Sequence, residues 1–223
     1  MLKDVHLSFR GGTMMLFSQA GEEVSFMGSA FLVHSQGYLL TCAHLLYQTD
    51  GLMVLPPEDL EVFQPMRTKT ISPLPAKVVG MDSERDVALL KFEENMDISV
   101  PDHVIGTPDQ VPVGSSVAVM GYSFGFQHIY NQMIQQAVIS SKILSRNDTR
   151  LFLIDTMVHD GTSGGPLVSI YDGRVIGVVS GLFDPTEAAP SGTESKSMNT
   201  NISYAVSVEY AAALMEAEGL EII

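Results

Sequence analysis

Three residues of this chain could together attack a carbonyl group. Ser163 lies in Asp160-Gly161-Thr162-Ser163-Gly164-Gly165-Pro166-Leu167. The glycines around it permit a tight turn and let a ligand approach the main chain closely. A serine hydroxyl is a weak nucleophile until a base takes its proton, and the oxyanion it creates needs hydrogen-bond donors. The backbone N–H groups of Gly161 and Ser163 can converge on one spot and serve as those donors. His44, in Thr41-Cys42-Ala43-His44, offers a base at the end of an apolar strand. Asp86 opens the apolar run Val87-Ala88-Leu89-Leu90-Lys91-Phe92. A carboxylate partly buried there needs a partner, and an imidazole is one. Asp82, in the turn just before, is the weaker candidate acid.

These side chains need strand ends to carry them, and the sequence supplies strands. Residues 5–9 alternate apolar and polar, which predicts a half-buried strand. Further strands are expected at 14–17, 25–33, 38–41, 76–81 and 87–92. A second set is expected at 117–122, 135–144, 152–155, 167–171, 174–182 and 202–206. Asp172-Gly173 marks a hairpin between two of these. Residues 47–75 are rich in proline and read as loop. Residues 183–200 read as a long polar loop. Ser207 is placed to cap a helix over 208–218, with Gly219 closing it. The strands fall in two sets, the pattern of antiparallel barrels or sandwiches: residues 1–95, which carry His44 and Asp86, then a connection over 96–112, then residues 113–223. The last of these carries Ser163 and the terminal helix.

Composition narrows the function classes. The 223 residues include 26 acidic and 12 basic side chains, a formal charge of −14. Such a chain does not bind nucleic acid or an anionic membrane through a basic face. No apolar run approaches the roughly 18 residues of a membrane-spanning helix. One cysteine, Cys42, permits no intrachain disulfide. The N-terminus lacks the apolar core of an export signal. Together these predict a cytoplasmic, prokaryotic protein; a secreted form whose signal has been removed would read the same way. No histidine–cysteine spacing of a familiar metal site is evident. No metal and no cofactor are expected, and nothing in the sequence indicates an oligomer.

The order His44, Asp86, Ser163 differs from α/β-hydrolases, whose histidine comes last, and from subtilisins, whose aspartate comes first. With the segments 37–44, 86–90 and 161–167, the chain resembles the chymotrypsin-fold, trypsin-like serine proteases, and most of all their HtrA/Deg branch. Val113-Gly114 and Asn201-Ile202-Ser203-Tyr204-Ala205-Val206 support the match, which covers roughly residues 25–215 and includes no PDZ domain. The resemblance implies an all-β fold of two six-stranded antiparallel barrels with the site between them. It implies His44 as general base and then acid, Asp86 as the group that orients it, and Ser163 as nucleophile. Gly161 and Ser163 would form the oxyanion hole. Ser180 would hydrogen-bond Asp86 and begin the strand that pairs with substrate.

The same resemblance places the floor of a specificity pocket at Met157, with Ser180, Gly181, Leu182 and Ile202 as walls and Asp160 at the rim. A methionine floor offers no partner to a buried cation. The expected preference is therefore for small or medium aliphatic side chains. Two features depart from the HtrA pattern: His159 and Asp160 stand where an asparagine and a proline are usual. The implied activity is a serine endopeptidase acting on polypeptides, unfolded proteins among them. A catalytically weak or inactive peptide-binding, chaperone-like module on the same fold is the alternative, and an esterase-like acyl transferase is a third.

Overall fold

The computed structural model describes residues 1–47, 50–57, 62–66, 72–94, 98, 100, 104–184 and 200–220. Twelve strands form two closed barrels. The first contains β1 (Thr13–Ala20), β2 (Glu23–His34), β3 (Tyr38–Thr41), β4 (Leu52–Leu55), β5 (Leu74–Asp82) and β6 (Val87–Phe92). The second contains β7 (Ser116–Gly121), β8 (Met133–Leu144), β9 (Arg150–Ile154), β10 (Pro166–Ser169), β11 (Val175–Leu182) and β12 (Ser203–Ser207). Every strand pair is antiparallel, and around each barrel the strands follow the same relative order, first-second-third-sixth-fifth-fourth. The two halves repeat one topology without repeating a sequence.

The β3–β6 pair shows why the barrel needs covering. Leu39 and Leu40 are neighbours on β3, so they face opposite sides, and both are 0 % exposed. Leu89 and Leu90 opposite them are equally buried. One side chain of each couple fills the barrel, and the other lies under something outside it. Part of that cover is α2 (Glu209–Ala217), which packs on β5 and β6, its Leu214 lying over Gly80. A fully buried leucine contributes about 1.5–3 kcal/mol over an exposed one, so this doubly covered sheet is a main source of stability.

Three local expectations are corrected. Residues 5–9 belong to a helix, α1 (Leu2–Phe9), rather than a strand. Val5 and Phe9 are four apart and both buried, while Leu7 between them is 45 % exposed. A five-residue alternation fits either period, and burial of only its ends selects the helix. The proline-rich stretch 47–75 is not all loop. Leu52 and Val54 turn inward on β4, which closes the first barrel between β1 and β5. Of that stretch, residues 48–49, 58–61 and 67–71 lie outside the described residues, as do 185–199 of the expected polar loop.

The third correction concerns Ser207. It ends β12, is 1 % exposed, and its hydroxyl has no hydrogen-bond partner among the described residues, while the residue before α2 is Val208 with no side-chain cap. The C-terminal expectation at Gly219 fits the geometry. Its N–H bonds Glu216 O at 2.9 Å, Leu220 N–H bonds Met215 O at 3.0 Å, and Gly219 has φ +71°. That pair of bonds is a Schellman turn, and its left-handed residue favours glycine. A capping serine costs about 0.5–2 kcal/mol when changed to alanine. Ser207 caps nothing and buries an unpaired hydroxyl, so Ser207→Ala should leave the urea midpoint unchanged or raise it. A fall of that size on urea titration would restore the capping role.

Candidate active site

The register of β3 on β6 brings His44 and Asp86 together. Thr41 pairs with Ala88. His44 follows Thr41 by three residues and Asp86 precedes Ala88 by two, so an antiparallel ladder sets both at one end. His44 sits in a 3-10 turn, Ala43–Leu45, and Asp86 holds a left-handed backbone, φ +58°, that aspartate tolerates better than most residues. Upstream, Asp82 Oδ1 accepts the N–H groups of Glu84 and Arg85 at 3.1 and 3.0 Å. Asp82 thus shapes the turn and is spent there.

Asp86 is held at both oxygens. His44 Nδ1 lies 2.8 Å from Oδ2 and 3.0 Å from Oδ1, and the His44 backbone N–H donates to Oδ1 at 2.8 Å. From the second barrel, Ser180 Oγ on β11 donates to Oδ2 at 2.7 Å, and it lies 3.1 Å from the Tyr204 hydroxyl. Burial pushes the Asp86 carboxyl up, but the bonds from His44 and Ser180 outweigh it and hold it below the usual carboxylate range. An anionic Asp86 favours the His44 tautomer that carries its proton on Nδ1. The His44 side chain is 48 % exposed, open to a substrate.

Ser163 ends a second 3-10 turn, Asp160–Thr162, and is 4 % exposed. Its carbonyl accepts the N–H of Ser29 at 2.8 Å. Ser29 lies on β2 of the other barrel and uses every polar group it has. Its hydroxyl donates to Gly161 O at 2.7 Å and accepts Tyr122 N–H at 3.1 Å, and its own carbonyl accepts the Thr41 hydroxyl at 2.8 Å. Gly164 fits against this junction with φ +85°, and a Cβ there would lie 2.0 Å from Ser29 O. No side chain can occupy that position. Nothing in the sequence pointed to Ser29. The signal available was Gly28-Ser29-Ala30, a run of small residues in an apolar strand, where the backbone of another element comes close.

The turn is in a closed arrangement. Ser163 N–H donates to Asp160 O at 3.2 Å, so one of the two expected oxyanion donors is engaged within the protein. The Ser163 hydroxyl donates to Ser180 O at 2.5 Å, and no hydrogen bond joins it to His44 among the described residues. Releasing the N–H requires the 160–161 peptide to turn; releasing the hydroxyl requires one side-chain rotation.

The remaining candidates surround this centre. Ser203 Oγ accepts Val158 N–H at 2.9 Å and donates to Thr156 O at 2.7 Å, clamping the segment that carries Met157 to β12. Met157 is 39 % and Leu182 42 % exposed, and Asp160 is exposed at the rim. Gly181 and Ile202 are half-buried. A separate cavity of about 560 Å³ borders Asp86 and is lined by Arg85, Leu144, Asn147, Leu182, Phe183 and Tyr204 among others. Leu182 faces it, whereas Met157 and Asp160 do not. Cys42 is 0 % exposed and its thiol donates to Val179 O at 3.2 Å.

Two six-stranded barrels with serine, histidine and aspartate gathered at their seam define the trypsin-like class. The chain belongs to the trypsin-like peptidase domain family, whose model matches residues 28–178. It is 34 % identical over 164 residues to a probable periplasmic serine endoprotease DegP-like of Pseudomonas fulva (strain 12-X). That match covers 72 % of this chain and 30 % of the relative. A protein of the same name from Halomonas elongata (strain ATCC 33173 / DSM 2581 / NBRC 15536 / NCIMB 2198 / 1H9) is 32 % identical over 163 residues, covering 73 % and 31 %. The chain thus spans about a third of these relatives' length. Among solved structures, the HtrA-type protease AlgW with tripeptide shares the fold at TM-score 0.72 and 22 % identity, over 97 % of this chain and 63 % of that one.

The relatives' names correct the cytoplasmic expectation, because they are periplasmic enzymes. The physical reason is that one buried, unpaired thiol is compatible with an oxidising compartment as readily as with a reducing one. These barrels are closed by strand pairing and core burial, so a lack of disulfides says little about where they fold.

Changing Ser29 to alanine tests the junction. Gly161 O and Tyr122 N–H would be left buried without Ser29 Oγ, at about 1–3 kcal/mol for each group. Ser29→Ala should lower the unfolding free energy from urea titration by at least about 2 kcal/mol and slow labelling of Ser163 by a fluorophosphonate. Wild-type values for both would remove Ser29 from the support of the serine turn.

Proposed function

We propose that this chain is a serine endopeptidase that cleaves polypeptides through His44, Asp86 and Ser163. The observation that carries the reading is the His44–Asp86–Ser180 hydrogen-bonded set beside the Ser163 turn. Ser163 Oγ rotates from Ser180 O toward His44 Nε2, gives up its proton there and attacks the scissile carbonyl carbon. Asp86 stabilises the imidazolium that results. The negative charge on the carbonyl oxygen is met by the N–H groups of Gly161 and Ser163 once the 160–161 peptide has turned. His44 then returns the proton to the leaving amine, and water repeats the sequence on the acyl-enzyme. Substrate able to bind only the open turn shifts the population toward it. In keeping with the relatives' names, the periplasm is the compartment in which unfolded polypeptides would be met.

The pocket reading follows from side-chain chemistry. Met157 and Ile202 offer apolar surface and no carboxylate, so Val, Ala, Leu or Ile should precede the cut. One methylene changes such selectivity by about 1–3 kcal/mol, which gives a graded preference. A second reading has one observation in its favour. Ser163 N–H bonds Asp160 O and its hydroxyl bonds Ser180 O, so the serine at rest is not aimed at His44, which would suit a module that binds peptide without cleaving it.

Ser163→Ala should reduce peptide hydrolysis about a thousandfold or more. Wild-type turnover in that variant would sink the assignment of the nucleophile, and a wild-type enzyme inert to fluorophosphonate would favour the binding module. Mass-spectrometric mapping of cuts in unfolded casein checks the pocket. Cuts dominated by Lys and Arg, or by Phe and Tyr, would overturn the aliphatic preference and leave the catalytic assignment standing.

A further inference from the structure

The acid and base of the site share their surroundings with a thiol. Cys42 Sγ, a ring nitrogen of His44 and a carboxylate oxygen of Asp86 all lie within 4.8 Å of one another. Sulfur, imidazole nitrogen and carboxylate oxygen form a donor set suited to a borderline-soft divalent cation, zinc above all. From this cluster we infer an inhibitory metal site built on Cys42, His44 and Asp86, one that takes Zn²⁺ or Cd²⁺ and ignores Mg²⁺.

The distances are near what such an ion needs. Bonds of about 2.0–2.3 Å to tetrahedral zinc hold neighbouring donors roughly 3.3–3.6 Å apart. His44 Nδ1 and Asp86 now stand 2.8–3.0 Å apart, and the sulfur lies inside the 4.8 Å limit. Side-chain shifts on the order of 1 Å would seat the ion. Ser180 Oγ, 2.7 Å from Asp86 Oδ2, or a water reaching the exposed face of His44 would complete the four ligands. Thiolate and carboxylate together neutralise the divalent charge, which removes the cost of burying it.

The chemical consequence follows from the tautomer. The ion takes the place of the proton on Nδ1, and the thiol proton leaves to solvent. The one proton that neutral imidazole keeps then resides on Nε2. That nitrogen is the one that must accept the serine proton, so the metal form has no base. The loss of activity rests on the endopeptidase reading, whereas binding of the ion does not.

Two measurements test this. Zn²⁺ at micromolar concentration should slow fluorophosphonate labelling of the wild type, while millimolar Mg²⁺ should not. Cys42→Ala should label like wild type without zinc and need at least about tenfold more Zn²⁺ for the same slowing. Cadmium titration of Ser163→Ala reads binding without activity. One equivalent should produce the ultraviolet band of a cadmium–thiolate bond, absent from the Cys42→Ala protein. His44→Ala should weaken Cd²⁺ binding at least about tenfold, as loss of a ligand does. No cadmium–thiolate band in Ser163→Ala, equal affinity in His44→Ala, or equal zinc sensitivity in wild type and Cys42→Ala would each overturn the site.

Discussion

The serine turn is held by the barrel to which it does not belong. Ser29 of β2 takes the carbonyls of Gly161 and Ser163 and the N–H of Tyr122, and Thr41 steadies Ser29 in turn. These bonds are buried, where each is stronger than in water and where a missing partner is expensive. They fix the 161–162 peptide and the Ser163 carbonyl while the 160–161 peptide stays within its own turn. The serine proposed as nucleophile is thus mounted on a point that the other barrel holds. On the other side of the seam, Ser180 reaches from β11 to Asp86 of the first barrel. Each barrel orients the chemistry carried by the other, and neither half alone presents a site.

Much of this was legible where a residue carries its own local motif. Ser163 is framed by glycines that the turn demands, and the Ser29 O contact at Gly164 shows why. His44 and Asp86 adjoin apolar strands whose pairing could be anticipated. The number and spacing of strands left barrels and sandwiches both open, and the resemblance to trypsin-like proteases implied the two barrels. Other features were hidden because their causes lie far away in sequence. Ser29 meets Gly161 across 132 positions. The four residues of β4 are framed by prolines and a glycine, and only closure of the barrel makes them a strand. The alternation at 5–9 satisfied two periods, and burial by the rest of the molecule chose between them. Ser207 has the chemistry of a cap but stands one residue too early, inside a strand.

The cysteine count was pressed too far when it was taken as a marker of compartment. A count of cysteines reports only which disulfides are impossible. What Cys42 can do depends on Asp86, which approaches it through the β3–β6 ladder and not through the chain. Spacing rules for metal ligands find donors that one element brings together, such as two turns of a helix or one hairpin. A set shared between a strand end and a distant turn escapes them.

The C-terminal helix has a temporal meaning. Ala211, Met215 and Leu220 belong to the same buried cluster as Leu39, Leu40, Leu89 and Leu90. The last strand of the second barrel leads into a helix that seals the first. On a ribosome, which releases the chain from its N-terminus at about 5–20 residues per second, the first barrel emerges well before its cover exists. Until then an apolar face of β5 and β6 lies open to chaperones, or to another nascent chain. Maturation of the two halves therefore finishes as one event, once α2 has been synthesised.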